Sequence, residues 1–325
     1  MTTLSSSPNH QRSVRELFQT KIGAMLDGVT EEPQYLVQLA LLRKCVGIAC
    51  ILNTLLLLPE YGHFFGPDVY YERGVFAPDR WQHWLVALSV HPFAHGLGYI
   101  FIVAQLAALD LMIAGIKLWL TVPFAFLATM NVWGLASVTM DGGNNLVQLV
   151  FTMLIFCNSS GRPSTFKSKN LQALSNAATR CIFRLIQLQI VFVYFCAGLY
   201  KFHGELWNNG MALYYTLQVP QYSHPWAEAF ALSFPVIASL MTHSILLFQY
   251  LFPVLVFVDK TRLFMVIWGA FFHLGIMFVM GLSMFGIMMM STYIAFLSVQ
   301  ECRWINDKIG GFFKRRMQTA QVDNV

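Results

Sequence analysis

The chain has 325 residues, of which 56% are hydrophobic and 11% charged, with a formal net charge of +5 and a mean hydropathy of +0.55. A soluble domain carries charge on about a quarter of its residues, so this composition excludes a water-covered globular fold and points to an all-α, polytopic membrane helical bundle. The positive charge calls for no nucleic acid partner, because its placement along the chain follows membrane topology.

Residues 1–34 form a cytoplasmic N-terminal segment. Its start, MTTLSSSPNHQRSVRELF, has no apolar core close behind the basic residues, so no cleavable signal peptide is expected and the first span serves as the insertion signal. Residues 35–300 form the transmembrane domain. Stretches of about 20 apolar residues suffice to cross the hydrocarbon core, and about eight are predicted, over 35–58, 92–114, 117–138, 142–158, 181–200, 231–257, 263–281 and 284–300. The fourth is short and opens on the polar run DGGNN; the sixth is interrupted by Pro235 and Pro253, which fits either a bent span or a surface helix, so seven or nine crossings stay open. Residues 301–325 form a basic cytoplasmic tail.

With eight crossings and both termini cytoplasmic, eighteen lysines and arginines fall inside and three (Arg73, Arg80 and Lys201) outside. That asymmetry is the positive-inside rule. The connection 59–91 mixes aromatics with glycine, proline and charge, and Trp81 and Trp84 in it suit an aromatic belt or an interfacial re-entrant element. The inside connection 158–180 carries lysines that suit anionic membrane lipids. All six cysteines lie in or beside apolar runs, which argues against a disulfide framework in an exported loop.

The chemistry concentrates after the fifth span, in YFCAGLYKFHGELWNNGMALYYTL. Tyr194, Gly198 and Lys201 fall on one helical face by i+4 and i+3 spacing, and Gly198 permits a ligand or another chain to come close. Lys201 sits at the outer edge of the helix, followed by His203 and Glu205. Desolvation of a lysine disfavours its charged form and makes it a proton acceptor; a snorkelling interfacial anchor is the alternative reading. Asp110, Asp141, His243 and His273 are further polar groups in or beside the spans, where each needs a partner or a wet cavity. Asp141, Asn144 and Asn145 either shape a site entrance or, more simply, Asp141 caps a helix. No zinc motif, phosphate-binding glycine loop or serine nucleophile elbow is present, so metal chemistry is not signalled.

The lysine-to-tryptophan block, together with DGGNNLVQLVF, VHPFAHGLGYIFIVAQLAAL and FFHLGIMFVMGLSMF, resembles the membrane domain shared by vitamin K-dependent γ-carboxylases and their bacterial relatives, including a protein that helps mature a sporulation-delaying peptide toxin. The resemblance spans roughly 35–300. It implies a multi-pass protein, of bacterial inner-membrane type, whose chemistry lies on the outer side. By the same resemblance Lys201 corresponds to the base that deprotonates reduced vitamin K or another quinol. From their places in the sequence, His273 is either a second catalytic group or a hydrogen-bond partner of a neighbouring helix, and Asn144, Asn145, Tyr194, Gly198 and His203 are the candidate cofactor contacts. A peptide substrate and a maturation partner join the membrane lipids as implied partners. Two departures stand out: the carboxylases' functional histidine falls in the segment that here reads Asn144, Asn145, Leu146, and their large extracytoplasmic domain has no counterpart. Three function classes therefore fit: a quinol-using membrane enzyme, a noncatalytic membrane partner in peptide maturation or export, and a small-molecule transporter built around Asp110, His243 and His273.

Overall fold

The computed structural model describes residues 33–60, 97–136 and 139–308, and these are largely helical with no strand among them. In chain order the helices are α1 (Leu36–Leu57), α2 (Leu97–Ala114), α3 (Leu118–Leu135), α4 (Gly142–Ile155), α5 (Lys169–Phe202), α6 (Glu205–Asn208), α7 (Ala212–Thr216), α8 (Pro225–Ser233), α9 (Pro235–Leu255), α10 (Asp259–Val279) and α11 (Ser283–Thr292). A 3₁₀ turn, Tyr293–Phe296, continues α11, and residues 299–308 are helical again. The N-terminal segment, the tail beyond 308 and most of the connection 59–91, with Trp81 and Trp84, lie outside the described residues.

The helices α1, α5, α9 and α10 are long and apolar enough to cross a membrane, and α2, α3, α4 and α11 are shorter apolar helices. The distribution of side chains on α5 shows why water is the wrong solvent. Phe183, Ile186, Ile190 and Tyr194 face the core, while Leu185, Leu188, Phe192, Phe195 and Leu199 form a second apolar stripe at helical spacing that is exposed. A helix apolar on all sides is stable only where its outer stripe meets lipid. Trp119 on α3 and Phe271 on α10, at 79% and 68% exposure, repeat the pattern. The protein is an all-α membrane-type bundle.

Association of helices in lipid relies on close packing and on hydrogen bonds rather than on the hydrophobic effect. Both are present. Trp133 Nε1 donates to Asn53 Oδ1 at 2.7 Å, and Thr54 Oγ1 donates to Gln105 Oε1, whose amide in turn donates to Thr129, so α1, α2 and α3 are pinned through buried polar side chains. Glycines let backbones touch elsewhere. A Cβ at Gly286 of α11 would overlap Met277 and lie 2.9 Å from the His273 carbonyl oxygen of α10, and one at Gly143 of α4 would lie 2.9 Å from Met288 Cβ.

Three boundaries differ from those expected. The fifth helix begins at Lys169 and runs 34 residues, about 51 Å at 1.5 Å per residue against a hydrocarbon core of about 30 Å, so its polar first turns lie in what the sequence suggested was loop. The sixth span is divided at Phe234, with Pro235 at the first turn of α9, where a missing N–H costs nothing. The last span stops at Phe296 because Ser298 and Glu301 start a new helix: Glu301 accepts from the Ser298 amide at 2.6 Å, and its own amide donates to Ser298 Oγ. Arg262 of α10 closes on Glu301 through two bonds of 2.9 and 3.0 Å. Burial alone would raise the Glu301 carboxyl, but the hydrogen bonds from Ser298 and Arg262 outweigh it and hold the carboxyl below its ordinary range.

Candidate functional site

A second buried polar chain, apart from Thr54–Gln105–Thr129, joins α5, α10 and the 3₁₀ turn after α11. Tyr194 of α5 places its hydroxyl 2.8 Å from His273 Nε2 of α10 and 2.5 Å from the Tyr293 hydroxyl beyond α11. All three side chains are buried, at 2%, 1% and 3% exposure. Local sequence explains their approach. A Cβ at Gly269, one turn before His273, would collide with the Tyr293 hydroxyl, so only glycine leaves room for that ring to reach Tyr194. Phe248 and Phe252 of α9 pack on Tyr194, with ring centroids at 5.3 and 4.5 Å, and hold it against rotation.

The remaining nitrogen of the histidine, Nδ1, is buried with no hydrogen-bond partner among the described residues. Orphaned buried polar atoms are rare because each forfeits its hydration. Oε1 of Gln249, a residue whose Cβ packs at Gly198, is another. With one hydroxyl shared between two neighbours, the Tyr293–Tyr194–His273 chain can pass a proton along it by hydroxyl rotation, and Nδ1 is left to meet a further group.

A groove of about 220 Å³ runs along α9 and α10 beside this chain, lined by Ser244, Phe248, Trp268, Phe271, Phe272 and Gly275 among others. Phe248 and Phe272 form its inner wall and separate it from His273, whose ring centroid is 4.9 Å from that of Phe272. Nothing lies within 4 Å of a Cβ built on Gly275, so the groove is open there.

Lys201 stands apart from this centre. It lies on the same helix seven residues beyond Tyr194, about 10 Å along the axis. Its ammonium sits over the Trp207 ring, 5.0 Å from the centroid, and it makes no hydrogen bond or ion pair among the described residues. The structure therefore brings Tyr194 and His273 together and leaves Lys201 outside their hydrogen-bonded group. The close approach permitted by Gly198 is taken by α9: Tyr250 donates to the Gly198 carbonyl at 3.1 Å. His203 is exposed and turns back to the Leu199 carbonyl at 2.8 Å.

Asn144 and Asn145 have separate fates. Asp141 caps α4 by accepting from the Gly143 and Asn144 amides at 2.7 and 3.2 Å, and the buried Asn144 side chain accepts from the Asp141 amide. Asn145 is exposed, and the glycine beside the cap is filled by α11. His243 bonds the Ser239 carbonyl one turn back at 2.9 Å, and Asp110 is exposed near the end of α2. Among the described residues no group of three or more His, Cys, Asp or Glu side chains could hold a metal ion.

Tyr293 and Gln249 escaped the sequence reading. A tyrosine in MMMSTYIAF and a glutamine in ILLFQYLF each interrupt an apolar run, the same signal that singled out His273. The fold and the buried polar chain define a class, a helical membrane-type bundle with a polar centre in its apolar interior. Beyond that class, no protein-family model, curated protein or solved structure matches the chain.

Proposed function

We propose that this chain is a carboxylase-like membrane enzyme that takes a reduced quinone, vitamin K or another quinol, at an outer-side site and modifies a peptide or lipophilic substrate, with Lys201 as base. The observation that carries the reading is the buried Tyr293–Tyr194–His273 chain with its free Nδ1, set beside an apolar groove. Polar groups of this kind inside a membrane bundle are costly and mark function. The groove suits a lipophilic ring, since Trp268, Phe271 and Phe272 offer flat apolar walls and Ser244 a single hydroxyl. When bound there, a hydroquinone supplies an acidic hydroxyl and two electrons. Tyr194, itself bonded to Tyr293, holds and orients the His273 ring, Phe248 and Phe272 exclude water from it, and Lys201, outside the groove lining, is the base for a quinol hydroxyl that reaches the outer end of α5.

The proposal includes eight crossings and both termini in the cytoplasm, on the strength of the eighteen-to-three basic asymmetry, and, by the resemblance alone, a bacterial inner membrane. A single cysteine at position 320, after replacement of the six native ones, is expected to react with a membrane-impermeant reagent only in opened cells. Reaction in intact cells would refute this topology.

The ligand site has its own test. A photoactivatable quinone is expected to label peptides of α9 and α10, and Gly275→Phe should cut that labelling at least about tenfold, because the new ring fills the groove without meeting a neighbour near its Cβ. Labelling scattered over the chain and unchanged by Gly275→Phe would reject the site. The noncatalytic alternative, a membrane partner in peptide maturation or export, is favoured by the seat of Lys201 on Trp207, the posture of an interfacial anchor.

A further inference from the structure

The end of the bundle opposite Lys201 holds a second cavity, of about 560 Å³, between α1, the α2–α3 turn, the loop 158–164 and the helix over 299–308. Four cationic side chains line it, Arg43, Lys44, Arg162 and Arg303, and among the described residues no acidic one does. We infer that this cavity is a binding site for a phosphate group, in the first instance that of an anionic phospholipid, held chiefly by Arg43, Arg162 and Arg303.

Arg43 carries the argument. Its side chain is 2% exposed and has no carboxylate partner among the described residues. Nε donates to the Ser159 carbonyl at 3.1 Å and Nη1 to the Ile113 carbonyl at 3.3 Å. Nη2 has no acceptor among the described residues and faces the Gly115 backbone, 3.6 Å from where a Cβ would stand. A buried guanidinium without a counterion is a costly arrangement that an anion relieves, and its planar fork matches phosphate oxygens.

The surroundings are built rather than incidental. The loop is held by Asn158, whose side chain accepts from the Ser160 amide and hydroxyl and donates to the Arg162 carbonyl and Ser164. Gly161, at φ 83°, lets it lie against Ala40 of α1. The carbonyls ending α2 would repel an anion, but Ile116 and Gly115 amides cap Leu111 and Met112, and Arg43 caps Ile113. Lys44 is held on Asn306 at 3.0 Å, which leaves the exposed Arg162 and Arg303 free to close on the ligand. Val37 and Leu41 of α1 supply apolar wall beside the charges, as acyl chains next to a headgroup require.

The test uses the full chain purified in a zwitterionic detergent, with Tm read against dioctanoyl phosphatidylglycerol, dioctanoyl phosphatidylcholine and inorganic phosphate. Phosphatidylglycerol is expected to raise Tm saturably. The Arg162→Gln, Arg303→Gln double variant, altered only at exposed positions, should keep its lipid-free Tm and need at least about tenfold more lipid. A Lys260→Gln, Lys308→Gln control, of equal charge change at exposed positions outside the cavity, should respond as the native chain does. A rise with inorganic phosphate alone supports the site and assigns it to a free phosphate; a rise with phosphatidylglycerol alone assigns it to a lipid headgroup. Equal response to phosphatidylcholine, no response to any probe, or an unchanged response in the Arg162, Arg303 variant would overturn the inference.

Discussion

Tyr194→Phe is expected to destabilise the bundle by about 1–3 kcal/mol, more than Tyr293→Phe does, although both remove one hydroxyl. The difference follows from position. The Tyr194 hydroxyl joins His273 Nε2 at 2.8 Å to the Tyr293 hydroxyl at 2.5 Å, so its loss strands two buried groups. Removing the Tyr293 hydroxyl leaves the Tyr194–His273 bond in place and should cost about 1 kcal/mol or less, in the range of hydrogen bonds between membrane helices. Phenylalanine preserves the contacts of the Tyr194 ring with Phe248 and Phe252, so the comparison isolates the hydroxyl. Reversible unfolding of the purified variants measures it. Equal losses, or a neutral Tyr194→Phe, would show that the chain does not bridge the three helices.

The bundle was legible in the sequence because lipid imposes its constraint residue by residue. Each apolar run that reads as a span holds a helix wherever its residues are described, and the polar DGGNN marked the start of α4 through an ordinary cap. What the sequence obscured was where helices leave the membrane. The polar first turns of α5 resemble a loop because lipid does not judge them, and the SVQE start of the helix over 299–308 was masked by the apolar run before it. The site was legible one residue at a time. His273 stood out as a polar group in an apolar helix and Tyr194 by its spacing to Gly198 and Lys201, but their bond joins residues 79 apart and the Tyr194–Tyr293 bond residues 99 apart. Local spacing carries no information about such pairs. Spacing did place Tyr194, Gly198 and Lys201 on one face; it could not show that α9 would fill the space at Gly198 or that Trp207 would take the Lys201 ammonium.

Substitutions at Lys201 should separate catalysis from anchoring. Arginine keeps the charge and the contact with the Trp207 ring but cannot accept a proton near neutrality; glutamine loses the charge and keeps polarity. If Lys201 is the base, both variants fold and both lose product formation by at least about 100-fold, the usual contribution of a positioned acid or base. If the residue is an anchor, arginine retains most function and glutamine does not. The separation between Lys201 and His273 adds a constraint. With about 10 Å of helix between Lys201 and the Tyr194 level, a proton taken at Lys201 does not reach His273 through the bonds present, so His273→Gln should impair the reaction by a route independent of Lys201.

The most direct measurement is oxygen-dependent consumption of a reduced vitamin K by the purified full chain in lipid nanodiscs, followed by the absorbance of the quinone and normalised to folded protein. The native chain is expected to consume it faster than empty nanodiscs do, and Lys201→Arg to fall back to the empty-nanodisc rate. A native rate no higher than that background, or near-native consumption by Lys201→Arg, would contradict the assignment of quinol chemistry to this site.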